Sequence, residues 1–212
     1  MPKNPKYLTI TGAVFVVAAV ILFALIFFPV VTSEVRYALN KDKSKEVVSQ
    51  EDASAEYGDK NDILVPVDEQ FGIVIPKIEA NAKVIANVDA ENPAAYLRAL
   101  TQGVAQAAGS ANPGEKGNIF LFAHSGQDLL QANRYNAAFY LLSKLEKGDE
   151  IDIFFQHQKF QYFVTGSKIV APEETSDLRN NPSIGQKRLT LMTCWPGGTT
   201  LKRLIVVAVS ID

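Results

Sequence analysis

From Leu8 to Val31 the chain reads LTITGAVFVVAAVILFALIFFPVV, 24 residues without a charged side chain. A helix rises about 1.5 Å per residue, so this run is long enough to cross the roughly 30 Å hydrocarbon core of a bilayer. We read it as a transmembrane helix. A cleaved signal peptide is the alternative, since VVTS resembles a cleavage site, but its apolar region is usually only about 7 to 15 residues. Lys3 and Lys6 precede the run, and Arg36, Lys41, Lys43 and Lys45 follow it. Lysine and arginine asymmetry therefore favours neither orientation.

Whatever folds in water must come after this run. Residues 32–66 mix Lys, Asp, Glu and Ser with few aromatics, a composition that buries too little apolar surface to offset chain entropy. They are expected to form a flexible or partly helical tether. From about Phe71 onward roughly 140 residues remain, enough to bury one core. The single cysteine among 212 residues rules out a disulfide within the chain. A net charge of −2 gives no reason to expect nucleic acid as a partner.

Beyond Phe71 short runs rich in Val, Ile and Phe alternate with turn residues: GIVIPKIEANAKVIA, NIFLFAH, EIDIFF, FQYFVTGSKIVA, RLTLMTC and LIVVAVS. Six or more strands in this length imply a sandwich or barrel. Two helical interruptions are expected. Asn92 caps one, with Pro93 at its first position and a stop at Gly103; NAAFYLLSKL, ending before Lys147 and Gly148, carries apolar residues at helical spacing.

Cys194 ends the run RLTLMTC, with Thr190 and Met192 on its face of the strand and Leu189, Leu191 and Thr193 on the other. WPGG then turns the chain, and LKRLIVVAVS returns as a hairpin partner that carries Arg203 back toward the thiol. A lone cysteine is often inert packing. Catalysis would require a base or cation nearby, because ordinary Cys and His leave only about one pair in a hundred as thiolate with imidazolium near pH 7. Of the two histidines, His124 closes the strand NIFLFAH and opens a polar loop, whereas His157 fits a solvated hairpin turn in FFQHQKFQYF. An arginine beside a thiol that attacks a carbonyl can bind the developing oxyanion or hold substrate carbonyls. A Cys/His/Arg set makes acyl transfer the natural reaction class. A zinc site from His124, His157, Cys194 and a carboxylate lacks ligand spacing, and no glycine loop has the spacing of a phosphate cradle.

These residues resemble a known family. TLMTC matches the TLxTC signature of the sortases, membrane-anchored cysteine transpeptidases of bacterial surfaces, and an arginine follows on the next strand. The resemblance extends through IPKIEANAKV, LTQGVAQAAGSANPGEKGNIFLFAHS, KGDEIDIFF and FQYFVTGSKIVAPEETSDL. It implies Cys194 as nucleophile, His124 and Arg203 as its catalytic partners, and Thr193 as a residue lining the substrate site. It also implies a mostly β, eight-stranded barrel with one or two short helices, and no metal or organic cofactor. The implied layout is a short cytoplasmic terminus (1–7), an anchor helix (8–31), a tether (32–66) and an extracellular catalytic domain (67–212). The expected partners are surface proteins bearing a C-terminal sorting signal similar to LPXTG, and an amine of cell-wall or pilin type. The tether holds no Asp-Pro-aromatic lid of the kind found in pilus-building sortases. Two alternatives are a cysteine peptidase that only hydrolyses and an anchored binding domain whose thiol is inert.

Overall fold

The computed structural model describes residues 14–21, 35, 64–125, 138–174, 176 and 185–211. The chain divides into two units, Met1–Glu56 and Tyr57–Asp212. In the first, residues 14–21 are helical, and Val14, Phe15, Val16, Val17, Val20 and Ile21 are all exposed. Among the described residues no helix is long and apolar enough to cross a membrane. Most of the expected anchor (8–31) and tether (32–66) lies outside the described residues.

The second unit is built on eight strands: β1 (Phe71–Ile75), β2 (Ala80–Val88), β3 (Val104–Ala107), β4 (Gly117–Phe122), β5 (Glu150–Phe155), β6 (Gln158–Val170), β7 (Lys187–Trp195) and β8 (Lys202–Ser210). They close into a barrel in the order β1-β2-β3-β4-β7-β8-β6-β5, with β5 paired back onto β1 through Ile73 opposite Ile153. Period-two alternation fills its interior. Ile73, Ile75, Leu121, Ile151, Ile153, Leu189, Leu191 and Val206 are each fully buried, and a buried Leu or Ile contributes about 1.5–3 kcal/mol.

Helix α1 (Pro93–Leu100) begins where expected. The Asn92 side chain accepts from the N–H groups of Ala94 and Ala95, and Pro93 takes the position that needs no donor. Ala99 and Leu100 pack on a second cluster outside the barrel, made with Val88, Ala105, Phe120 and Phe122 and bordered by Met192. At Gly103 a Cβ would collide with the carbonyl oxygen of Lys83, so this glycine allows the chain to enter β3 hard against β2.

The second expected helix is shorter and tighter. Of NAAFYLLSKL, residues 138–141 form a turn and Leu142–Lys144 one 3-10 turn. Phe139 and Leu141 would point to opposite sides of an α-helix, yet both are buried; the irregular path brings both under cover as the 3-10 turn packs on β8. β3 was not legible as a strand, because VAQA is short and lacks a β-branched alternation. It is a strand through its neighbours, pairing in parallel with β2 and antiparallel with β4.

His157 lies in a two-residue hairpin turn between β5 and β6, as expected, with Gln156 and His157 at φ 51 and 62. This is the left-handed backbone that a tight hairpin of this kind requires. Nδ1 of His157 lies 3.1 Å from Glu69 Oε2, both side chains being exposed. On the outer side of β5 and β6, the Lys159 ammonium lies 2.8 Å from Asp152 and 3.3 Å from Glu150. Asp152 is buried, and its Oδ1 makes no hydrogen bond among the described residues.

Candidate active site

Three neighbouring strands set the site. β7 and β8 are antiparallel, and Cys194 pairs directly with Arg203, so the two side chains leave the sheet on the same face. β4 lies on the other side of β7, in parallel, with Phe122 opposite Met192. The ladder continues one bond further, as the Ala123 N–H donates to the Met192 carbonyl at 3.2 Å. The same offset puts His124 at the height of Cys194. Adjacent strands are about 4.8 Å apart, so register alone brings the backbones of residues 124 and 203 to either side of residue 194.

The face that carries the site is the outer one. Leu189, Leu191 and Thr193 are buried on the barrel side, whereas Met192 borders the cluster under α1. Phe120 and Phe122, stacked at 5.7 Å, belong to that same outer cluster. His124 and Cys194 therefore come next on a face already roofed by α1, where the cover ends. His124, Cys194 and Arg203 are all half-buried, sheltered enough to be held and open enough to meet a ligand.

Arg203 is anchored by its own hairpin. Its Nη1 donates to the carbonyls of Thr200 and Lys202, each at 3.1 Å. Nε and Nη2 make no hydrogen bond among the described residues, which leaves them as donors for a further acceptor. Thr193 is 3% exposed, and its hydroxyl donates to the Ala123 carbonyl at 3.0 Å. That side chain acts from beneath the site by tying the cysteine's strand to the histidine's.

The residues do not all converge. β6 pairs with β8 so that Val170 meets Arg203 and Tyr162 meets Ser210, which puts the start of β6, and His157 just before it, at the opposite end of the barrel. A zinc set using both histidines is excluded on that ground. The WPGG turn after Cys194 was read in the sequence, but Ser125 and its bond to that turn were not. Ser125 is 2% exposed and accepts a hydrogen bond from the Gly198 N–H at 3.3 Å. A Cβ on Gly197 would stand 3.4 Å from the Tyr140 ring and 3.5 Å from the Ser125 carbonyl. Only adjacency to His124 could have drawn attention to Ser125, since its partner lies 73 residues away.

A closed eight-stranded barrel with Cys, His and Arg on three adjoining strand ends defines a class of thiol-bearing barrel proteins, and comparison gives the family. The sortase domain model matches residues 73–211, and the chain belongs to the sortase family. It is 29% identical over 135 residues to sortase D of Bacillus subtilis, covering 62% of this chain and 59% of that relative. The match thus spans less than two thirds of the relative's length. Among solved structures, sortase C-1 of Actinomyces oris is 27% identical with a TM-score of 0.56, over 85% of this chain and 98% of that one. Sortase C of Clostridium perfringens, solved with the C-terminal cell wall sorting motif, is 25% identical with a TM-score of 0.56, over 75% and 79%.

Proposed function

We propose that this sortase is a cysteine transpeptidase that cleaves a sorting signal similar to LPXTG and passes the acyl group to an amine at the cell surface. The observation that supports the reading is the register of β4, β7 and β8, which pairs Cys194 with Arg203 and, carried two residues past the Phe122–Met192 pair, brings residue 124 level with residue 194. The Cys194 sulfur, as thiolate, attacks the scissile carbonyl, and the oxyanion that forms is met by the remaining guanidinium donors of Arg203. His124, as imidazolium, protonates the departing amine as the C–N bond breaks, leaving a thioester on Cys194. An incoming amine gives up a proton to His124, takes the acyl group and frees the thiolate. The peptide's bond energy is retained in the thioester, so no nucleotide is needed. Thr193 lines this site through its main chain while its hydroxyl holds Ala123.

The relative solved with a sorting motif supports the substrate class. The expected partners are surface proteins bearing such a signal and an amine of cell-wall or pilin type. Anchoring by a single helix over 8–31, with residues 1–7 in the cytoplasm and a tether over 32–66 holding a catalytic domain (67–212) outside, is part of the same reading. Its support is the uncharged run and the exposed apolar side chains of helical residues 14–21, which a lipid environment would cover.

The test is to incubate the chain with peptides of the sorting-signal type, with and without amines, and to identify products by mass. A ligated product and an acyl-enzyme on Cys194 are expected. Cleavage alone, whatever amine is added, would identify a hydrolase instead. A thiol probe that labels Cys194 only after unfolding would overturn the enzyme reading altogether.

A further inference from the structure

Residues 123 to 125 follow directly on the last β4–β7 pair, Phe122 with Met192. Past that pair the Ala123 N–H donates to the Met192 carbonyl, and strand ends are where pairing is weakest. Two side-chain hydroxyls continue the connection. Thr193 reaches back to the Ala123 carbonyl at 3.0 Å, and the Ser125 hydroxyl takes the Gly198 N–H at 3.3 Å. The histidine is thus bracketed, with one tie at residue 123 and the other at residue 125. The second tie reaches the turn that joins Cys194 to Arg203, whose other side is backed by the Tyr140 ring at Gly197.

We infer that Ser125 is a positioning residue for the acyl transfer proposed above, on which this inference rests. Ser125 is 2% exposed, so its hydroxyl does not meet the peptide. Through Gly198 it locks the Cys194–Arg203 hairpin to the loop that carries His124, and so fixes the imidazole relative to sulfur and guanidinium. A misplacement of about 1 Å at a reacting centre can cost about a hundredfold in rate. Loss of this one tie is therefore expected to act on kcat and to leave KM nearly unchanged.

The test compares Ser125→Ala, Ser125→Val and Ser125→Thr in the full chain in detergent, with a peptide containing Leu-Pro-Glu-Thr-Gly and triglycine as the amine. Thr and Val have nearly the same shape and differ in the hydroxyl, and Ala adds no bulk. S125A and S125V should each lower kcat by about tenfold with KM within about twofold, at an unfolding temperature close to that of the wild type, while S125T restores the rate. The inference is overturned if S125A keeps kcat within about twofold of wild type, or if S125T is as slow as S125V. A wild-type chain that forms no acyl-enzyme would bring down the transpeptidase reading and this inference together; an active wild type matched by S125A would bring down this inference alone.

Discussion

Cys194 pairs with Arg203 on β8, and the β4–β7 register brings His124 level with it on the other side; in the proposed function its reactivity depends on both. Cys194→Ala and His124→Ala are expected to abolish thioester formation, with the fold intact by circular dichroism. Arg203→Ala should reduce it by about 10²–10³-fold, the usual cost of losing an oxyanion donor. Arg203→Lys should recover little, because Nη1 spans the Thr200 and Lys202 carbonyls and an ammonium cannot hold both while also reaching a substrate. Single-turnover assays by mass would measure each; near wild-type thioester formation in either the His124 or the Arg203 alanine variant would refute these roles. Asp152 offers a test of a different kind. Burial pushes its carboxyl up to about 6, against the pull of Lys159 and with the help of the nearby Glu150 carboxylate. A carboxyl raised on folding adds stability at low pH that is lost as pH climbs through the folded value. Asp152 should therefore cost the fold up to about 3 kcal/mol between about pH 4 and 6. Asp152→Asn should flatten that decline, read as unfolding temperature against pH; an unchanged slope would refute the assignment.

At the scale of elements, α1 is local in origin and long-range in effect. Its start is written in Asn92 and Pro93, and Asn92→Ala should cost about 1 kcal/mol in urea unfolding. Its packed face covers Phe120 and Phe122, the residues that lead β4 toward His124. Gly103 reads in the sequence as a helix stop, but its reason is the Lys83 carbonyl on β2. Gly103→Ala should therefore cost about 1–3 kcal/mol by forcing β2 and β3 apart, more than any loss of a stop signal, and a change under half that would show that the strands give way. The hairpin at Gln156 and His157 was legible because two apolar strand runs, EIDIFF and FQYFVTGSKIVA, meet at the polar break QHQK. β3 was not, since VAQA has no pattern of its own and is ordered by the strands on both sides. The segment after residue 138 was legible in hydrophobicity but not in geometry: its spacing suited a helix, and burial on β8 selected a tighter turn.

For the whole molecule, the barrel makes a rigid end from segments far apart in the chain. β4 and β7 pair in parallel across roughly 70 residues, so no local signal could bring His124 to Cys194. The membrane reading is testable at this scale. The full chain should sediment with membranes and resist extraction by salt, whereas a chain lacking residues 1–31 should remain in the aqueous fraction. Recovery of the full chain in that fraction would overturn the anchor. The sequence by itself determined what local chemistry can encode: the uncharged run, the alternation of the strands, the cap of α1 and a thiol, an imidazole and a guanidinium each at a strand end. Only the tertiary structure decided that β4 lies beside β7 in matching register, that the face shared by Leu189, Leu191 and Thr193 is the interior one, and that Ser125 reaches the turn after the cysteine. Pairing partners and buried hydroxyl bonds depend on which segments share an interior, and that follows from closure of the whole barrel rather than from any stretch of chain within it.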